Sequence, residues 1–141
     1  MALKLTLKPG ERFVINGAVL ENGDRRSTLT IENQASVLRE RDIMQPEDAL
    51  TPMRRIYFAI MMQYLDEESS GQYRQEFAVR LGEFMEAISN PEALRTCVDI
   101  IQLVEAKQYY KALLAAKSLY EFEEARLNYV SSSLPASPEH H

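Results

Sequence analysis

Residues 3–43 read LKLTLKPGERFVINGAVLENGDRRSTLTIENQASVLRERDI, and the alternation in this stretch decides the fold. Leu3, Leu5 and Leu7 alternate with Lys4, Thr6 and Lys8, a period of two that marks a half-buried strand. Pro9-Gly10 turns the chain. Phe13 to Ile15 make a second strand closed by Asn16-Gly17, the dipeptide that most readily supplies positive φ at both central positions of a tight turn. Ala18 to Leu20 make a third, closed by Glu21-Asn22-Gly23-Asp24. After Arg25-Arg26, Thr28, Thr30 and Glu32 fall opposite Leu29 and Ile31 in a fourth strand, and Ser36 to Leu38 form a fifth. Five short strands with tight turns predict a small antiparallel sheet or a partly open barrel.

Outward from this stretch, the period changes near residue 45. Thr51-Pro52 starts a helix with a hydroxyl cap and a proline at the first helical position, and the run MRRIYFAIMMQYL is apolar almost all round, so the helix is expected to be buried. Asp66 to Gly71 is a polar loop. Tyr73, Phe77, Leu81, Phe84 and Ile88 then form a helical stripe. Asn90-Pro91 repeats the cap-plus-proline start, with Leu94, Val98, Ile101 and Val104 on the expected buried face. A fourth segment from Ala106 to Val130 places Tyr109, Leu113, Ala116, Tyr120 and Leu127 on one side. The chain therefore reads as an α+β protein: a β-module of about five short antiparallel strands over residues 1–45, a four-helix lobe over 46–130 and a disordered tail over 131–141.

Composition narrows the function. A chain of 141 residues that is 45% hydrophobic can bury a real core but not two large domains. The lone Cys97, in the helical run RTCVDIIQLV, reads as a small buried thiol. No apolar run approaches the roughly 20 residues needed to cross a bilayer, and the N-terminus lacks a signal-peptide core, so a cytoplasmic location is expected. His140-His141 resembles the remnant of a purification tag and enters no metal reading. Residues 1–55 carry nine Lys or Arg against eight Asp or Glu, and residues 56–141 carry seven against thirteen. The resulting −6 of the second part disfavours phosphate there, so any RNA must meet the first part.

Catalytic chemistry is not legible. There is no Gly-rich phosphate loop, no Cys-x-x-Cys and no histidine before the terminal pair, so neither an enzyme nor a cofactor is expected. Asp66-Glu67-Glu68 and Glu121-Glu123-Glu124 read as a solvated loop and a charged helix face, and Met61-Met62 as core at helical spacing. The arginines weigh differently. Arg25-Arg26 follow a turn, Arg39 and Arg41 flank Glu40 at the end of the fifth strand, and Arg54-Arg55 open the first helix, where Glu47 and Asp48 are the nearest acids. Charge alone makes these pairs ordinary surface, but turns and strand edges are where small β-modules present guanidinium groups to unstacked bases and phosphates. Lys4 and Thr6, on the polar side of the first strand, join Arg39 and Arg41 if the first and last strands are neighbours.

From residue 1 to 130 the sequence resembles the flagellar biosynthesis repressor FlbT family, through LKLTLKPGERFVINGAVLENGDRRSTLTIEN, VLRERDIM and EDALTPMRRIYFAIMMQYLD in order. That resemblance implies post-transcriptional control of flagellin synthesis, by binding the 5′ untranslated region of flagellin mRNA and lowering its translation or stability. The first 43 residues are also similar in order and spacing to the RNA-binding module of the carbon storage regulator CsrA. This second resemblance implies an RNA surface built from the first strand, at Leu3, Lys4 and Thr6, and from Arg39, in an intertwined dimer. The expected RNA-binding residues are thus Lys4, Thr6, Arg25, Arg26, Arg39 and Arg41. The competing expectation is a protein-interaction module, in which Tyr109, Tyr110, Tyr120, Phe122 and Tyr129 grip flagellin or the co-regulator FlaF. Short edge strands also invite pairing with a second copy.

Overall fold

The computed structural model describes residues 2–66 and 68–133, with side chains as far as Leu127. Five strands open the chain: β1 (Leu3–Leu7), β2 (Arg12–Ile15), β3 (Ala18–Glu21), β4 (Ser27–Ile31) and β5 (Val37–Arg39). They form two antiparallel sheets, one of β1 and β4 and one in the order β3-β2-β5. Asn16 (φ 51°) and Gly17 (φ 83°) both take the left-handed conformation that a two-residue hairpin needs, and so set the register Val14 to Val19 and Phe13 to Leu20. The turn at Glu21 to Asp24 behaves differently, because it sends β4 across to β1 instead of back along β3. The Asn22 side-chain amide explains the crossing: it donates to Lys8 O (2.8 Å) and Arg25 O (2.9 Å), pinning the turn to the end of β1. β1 and β5 are accordingly not neighbours within a sheet.

The period of two divides the buried residues between two cores. Phe13 meets Leu5 and Leu7 in a small core flanked by Ile15, Ile31 and Val37. Val14 and Leu38, on the other face of the same sheet, enter the main core with the helices. Leu38 is fully buried, which contributes about 2 kcal/mol of transfer free energy. Strand gives way to helix near residue 45, but packing is continuous across that point.

Five helices follow: α1 (Pro52–Leu65), α2 (Ser70–Glu86), α3 (Pro91–Glu105), α4 (Tyr109–Lys117) and α5 (Tyr120–Ser133). Both cap-plus-proline starts form, with Thr51 Oγ1 accepting from Arg54 N (3.2 Å) and Asn90 Oδ1 from Ala93 N (2.9 Å). α1 is the central helix, packed on α2 and α4, with Met53, Ile56, Ala59 and Ile60 wholly buried. Phe77, Leu81, Phe84 and Ile88 are buried as their stripe predicts. Of the expected face of α3, Val104 is buried and Leu94 and Ile101 are half-buried against the main core, but its centre lies on neighbouring residues. Ala93, Cys97, Ile100 and Val104 are inside, while Val98 is 43% exposed. α3 packs on α4, whose buried face is Ala112, Leu113 and Ala116, and small side chains on both helices permit that approach.

The fourth predicted segment divides at Ser118-Leu119 into α4 and α5. Ser118 Oγ donates back to Ala115 O (2.6 Å), competing with the helical ladder, and Leu119 turns into the core. α5 continues to Ser133, past the expected boundary at Val130; the remainder of the expected tail lies outside the described residues. Polar ties fasten the strands to the helices. Tyr64 Oη donates to Val37 O (3.1 Å) and accepts from Val37 N (2.9 Å), and Tyr57 Oη donates to Asp42 O (2.5 Å). The Asp42 carboxylate accepts from Lys117 Nζ (2.6 Å), and buried Glu123 caps α1 by accepting from Met53 N (2.7 Å).

Candidate nucleic-acid interface

Beyond the last β1-β4 pair, Leu7 with Ser27, the two chains run on to Lys8 and Arg26. Residues paired across a ladder share a face, so Thr6 and Thr28 present their side chains to the side away from the small core, with Lys4 and Thr30 one step further along. The Pro9-Gly10 turn then closes through Glu11 N to Lys8 O (3.1 Å), with Gly10 at φ 71°. This turn brings Glu11 beneath the end of β5.

Glu11 and Arg39 meet there in a two-pronged pair. Arg39 Nε donates to Glu11 Oε2 (3.1 Å), and Arg39 Nη2 donates to both carboxylate oxygens at 3.0 and 3.1 Å. The same Nη2 donates to Thr6 O (2.5 Å). One guanidinium therefore joins β1, the Pro9-Gly10 turn and β5, doing through a side chain what the two strands do not do through a ladder. Its effect on Glu11 is to hold that carboxyl below the usual range, chiefly by the hydrogen bond from Arg39 and secondarily by the one from Lys8 N. Arg39 is thus committed within the protein, as sequence reasoning did not foresee.

Around this brace lies a cleft of about 620 Å³, lined by Thr6, the Lys8–Glu11 turn, Arg26 and residues 39–41. Its two acids are occupied, Glu11 by Arg39 and Glu40 by Arg12 N (2.7 Å). Its other cations are not. Lys8 and Arg26 form no ion pair among the described residues, and Arg41, with a side chain 76% exposed, lies 3.8 Å from Asp42 Oδ2 at the edge of pairing distance. Three cationic heads thus line a cleft in which Glu11 is ion-paired with Arg39 and Glu40 accepts a backbone hydrogen bond. Such an arrangement can hold phosphate oxygens. No aromatic side chain among the described residues lines it, so base planes would have to stack on guanidinium groups.

Of the six residues expected to bind RNA, the structure brings together Thr6, Arg26, Arg39 and Arg41. Lys4 is exposed on the same sheet face but outside the cleft, and Arg25 is also exposed and outside it. Lys8, Glu11 and Glu40 were missed. Lys8 continues the Lys4-Thr6 alternation by one step, which is the signal that would have found it.

The described members of the aromatic set expected to grip a partner protein differ in exposure. Tyr109, Tyr120 and Phe122 pack against the main core, with Tyr109 6.2 Å from the Tyr64 ring and Tyr120 6.1 Å from the Tyr57 ring. Tyr110 is exposed, and the side chain of Tyr129 lies outside the described residues. Arg54 is not paired to Glu47 or Asp48 but stacks 4.5 Å from the Tyr120 ring centroid, and Arg55 Nε donates to Ala49 O (3.3 Å). No described helix is long and apolar enough to cross a membrane.

Comparison with known proteins places this geometry in a family. The chain is 54% identical over 136 residues to the flagellum biosynthesis repressor protein FlbT of Caulobacter vibrioides, covering 96% of each chain. It is 55% identical over 131 residues to the probable flagellum biosynthesis repressor protein FlbT of Caulobacter sp. strain K31, covering 93% of this chain and all of that one. The corresponding Brucella anthropi protein is 33% identical over 136 residues, covering 96% of this chain and 89% of its own. No solved structure matches significantly. The profile described as flagellar protein FlbT matches residues 3–127, a span that takes in both sheets and the first four helices whole, and the chain belongs to the FlbT family.

Proposed function

We propose that this protein is a regulator of flagellum biosynthesis that acts on messenger RNA, binding the 5′ untranslated region of flagellin mRNA in the cleft between the Pro9-Gly10 turn and the end of β5. Relatives carrying the name flagellum biosynthesis repressor support the regulatory half of this reading and its sign. Support for the RNA half rests on one observation: Lys8 and Arg26, which form no ion pair among the described residues, and Arg41, held only by a long pair to Asp42, line a cleft whose carboxylates are already hydrogen-bonded. Arg39 holds the cleft's walls together, and the exposed Thr6 hydroxyl supplies a neutral polar contact. An occupied leader sequence is closed to the ribosome, so binding lowers flagellin synthesis.

The test is fluorescence anisotropy of a flagellin leader RNA against a scrambled RNA of equal length. Three phosphate contacts on single-stranded RNA predict a salt dependence with a logarithmic slope of about −2. The Lys8→Ala/Arg26→Ala/Arg41→Ala protein should lose most of that affinity and most of the slope. Unchanged binding by the triple variant, or no preference for the leader, would remove the cleft from the function.

A further inference from the structure

A second groove, of about 1040 Å³, shares no lining residue with the cationic cleft. One wall is a stripe of α1, Phe58, Met61, Met62 and Leu65, spaced i, i+3, i+4 and i+7. The facing wall is the β2-β3 hairpin. Val14 and Val19 are register partners and share a face, yet Val14 is 4% exposed and Val19 73% exposed. The apolar face that Val14 buries against the helices therefore runs on into solvent at Val19. Met44 belongs to the lining as well. At the α1-α2 corner the groove is bounded by Asp66 and Glu68, and no Lys or Arg lines it.

We propose that this groove docks an amphipathic α-helix of a partner protein, its apolar face on the α1 stripe and its Lys or Arg residues against Asp66 and Glu68. Met61 of this ridge is buried, and half-buried Phe58, Met62 and Leu65 at i, i+4 and i+7 are the surface that an incoming helix packs against. Half-buried Met44 and Met62 are flexible enough to fit helices of differing shape. Charge selects the occupant. Residues 134–141, LPASPEHH, contain no Lys or Arg and two prolines, so the chain's own tail has neither the sign nor the helix propensity for this site. This inference is independent of the RNA reading.

The test uses the full-length protein and designed peptides of leucine and lysine in fluorescence anisotropy. One peptide carries its leucines at helical spacing; a second, of identical composition, alternates them; a third replaces lysine by glutamate at helical spacing. The helical basic peptide should bind best. Val19→Asp, a change at an exposed position whose retained fold a melting curve verifies, should weaken it about tenfold by placing a charge in the apolar contact. Asp66→Asn/Glu68→Gln, which keeps the Asp66 acceptor for Glu68 N, should weaken it severalfold. Equal binding of the acidic peptide, or no effect of Val19→Asp, overturns the proposal. Tighter binding of the alternating peptide would instead mean strand addition at β3, and a concentration-dependent dimer abolished by Val19→Asp would mean a second copy; either result also overturns it.

Discussion

Replacing Arg39 by Ala should cost stability before it costs RNA affinity. The side chain makes three N–H···O contacts to Glu11 at 3.0–3.1 Å and one to Thr6 O, and the two partners are 27% and 14% exposed. Exposed ion pairs contribute under about 1 kcal/mol, whereas breaking a fully buried one costs about 3–5 kcal/mol. A half-buried pair with ideal fork geometry falls between these limits, so Arg39→Ala should destabilise by about 2 kcal/mol and lower the melting temperature by about 4–8 °C. Arg39→Lys should recover less than half, because a point charge cannot reproduce the fork. A double-mutant cycle with Glu11→Gln should return a coupling of about 1 kcal/mol or more, since the two sites are in contact.

The pH dependence has a definite sign. Glu11 has its carboxyl lowered in the folded state, so its contribution is fully present above the ordinary glutamate value of 4.5 and is lost as pH falls through the lower folded value. Wild type should lose this increment on acidification, and Glu11→Gln should not. Urea denaturation across that range measures both. In parallel, anisotropy well below the melting temperature should show Arg39→Ala binding RNA better than Arg41→Ala does. An Arg39→Ala protein that melts like wild type while losing about tenfold in RNA affinity would refute the brace and restore Arg39 as a direct reader.

Other positions make independent claims. Gly17 sits at φ 83°, and an added Cβ would meet Leu65 O at 2.9 Å, so Gly17→Ala should destabilise by about 2 kcal/mol or more, read as a shift in the urea midpoint. Lys107 holds φ 59° at the end of α3, where glycine carries no Cβ penalty; Lys107→Gly should raise stability by about 1 kcal/mol, visible as a higher melting temperature. Burial pushes the Cys97 thiol up to about 11, so a thiol reagent at pH 8 should label the native protein far more slowly than the urea-unfolded one, and rapid native labelling would contradict the packing of α3.

The strands were legible because their signal is local. Alternation places Leu5 and Leu7 inside and Lys4 and Thr6 outside without knowledge of any partner, and Asn16-Gly17 specifies its own turn. Helix starts were legible for the same reason, each cap accepting from an N–H three residues on and each proline lying next to its cap. What was not legible depends on residues far apart in the chain. The second Asn-Gly, at Asn22-Gly23, looks like the first, but Asn22 spends its amide on Lys8 O and Arg25 O, and the chain crosses to β1. The centring of α3 on Ala93, Cys97 and Ile100 likewise involves its packing on α4 and was not legible in its own pattern of large residues.

The candidate site was legible in the same partial way: Thr6, Arg26, Arg39 and Arg41 do line one cleft, but the sequence does not order them by availability. Counting arginines treats every guanidinium as available, yet availability depends on which acid folds against it. Arg39 meets an acid 28 positions away, across a turn and between sheets, and is consumed there. Lys8 and Arg26 form no ion pair among the described residues, and their charge is what the cleft offers. Commitment and exposure therefore run opposite to prominence in the sequence: the arginine that resemblance singles out braces the site, and the lysine that one more step of alternation would have added faces its opening. If phosphate binds here, substitutions at Lys8, Arg26 and Arg41 should lower affinity and salt slope together while leaving the melting temperature nearly unchanged, whereas substitution of Arg39 should do the reverse.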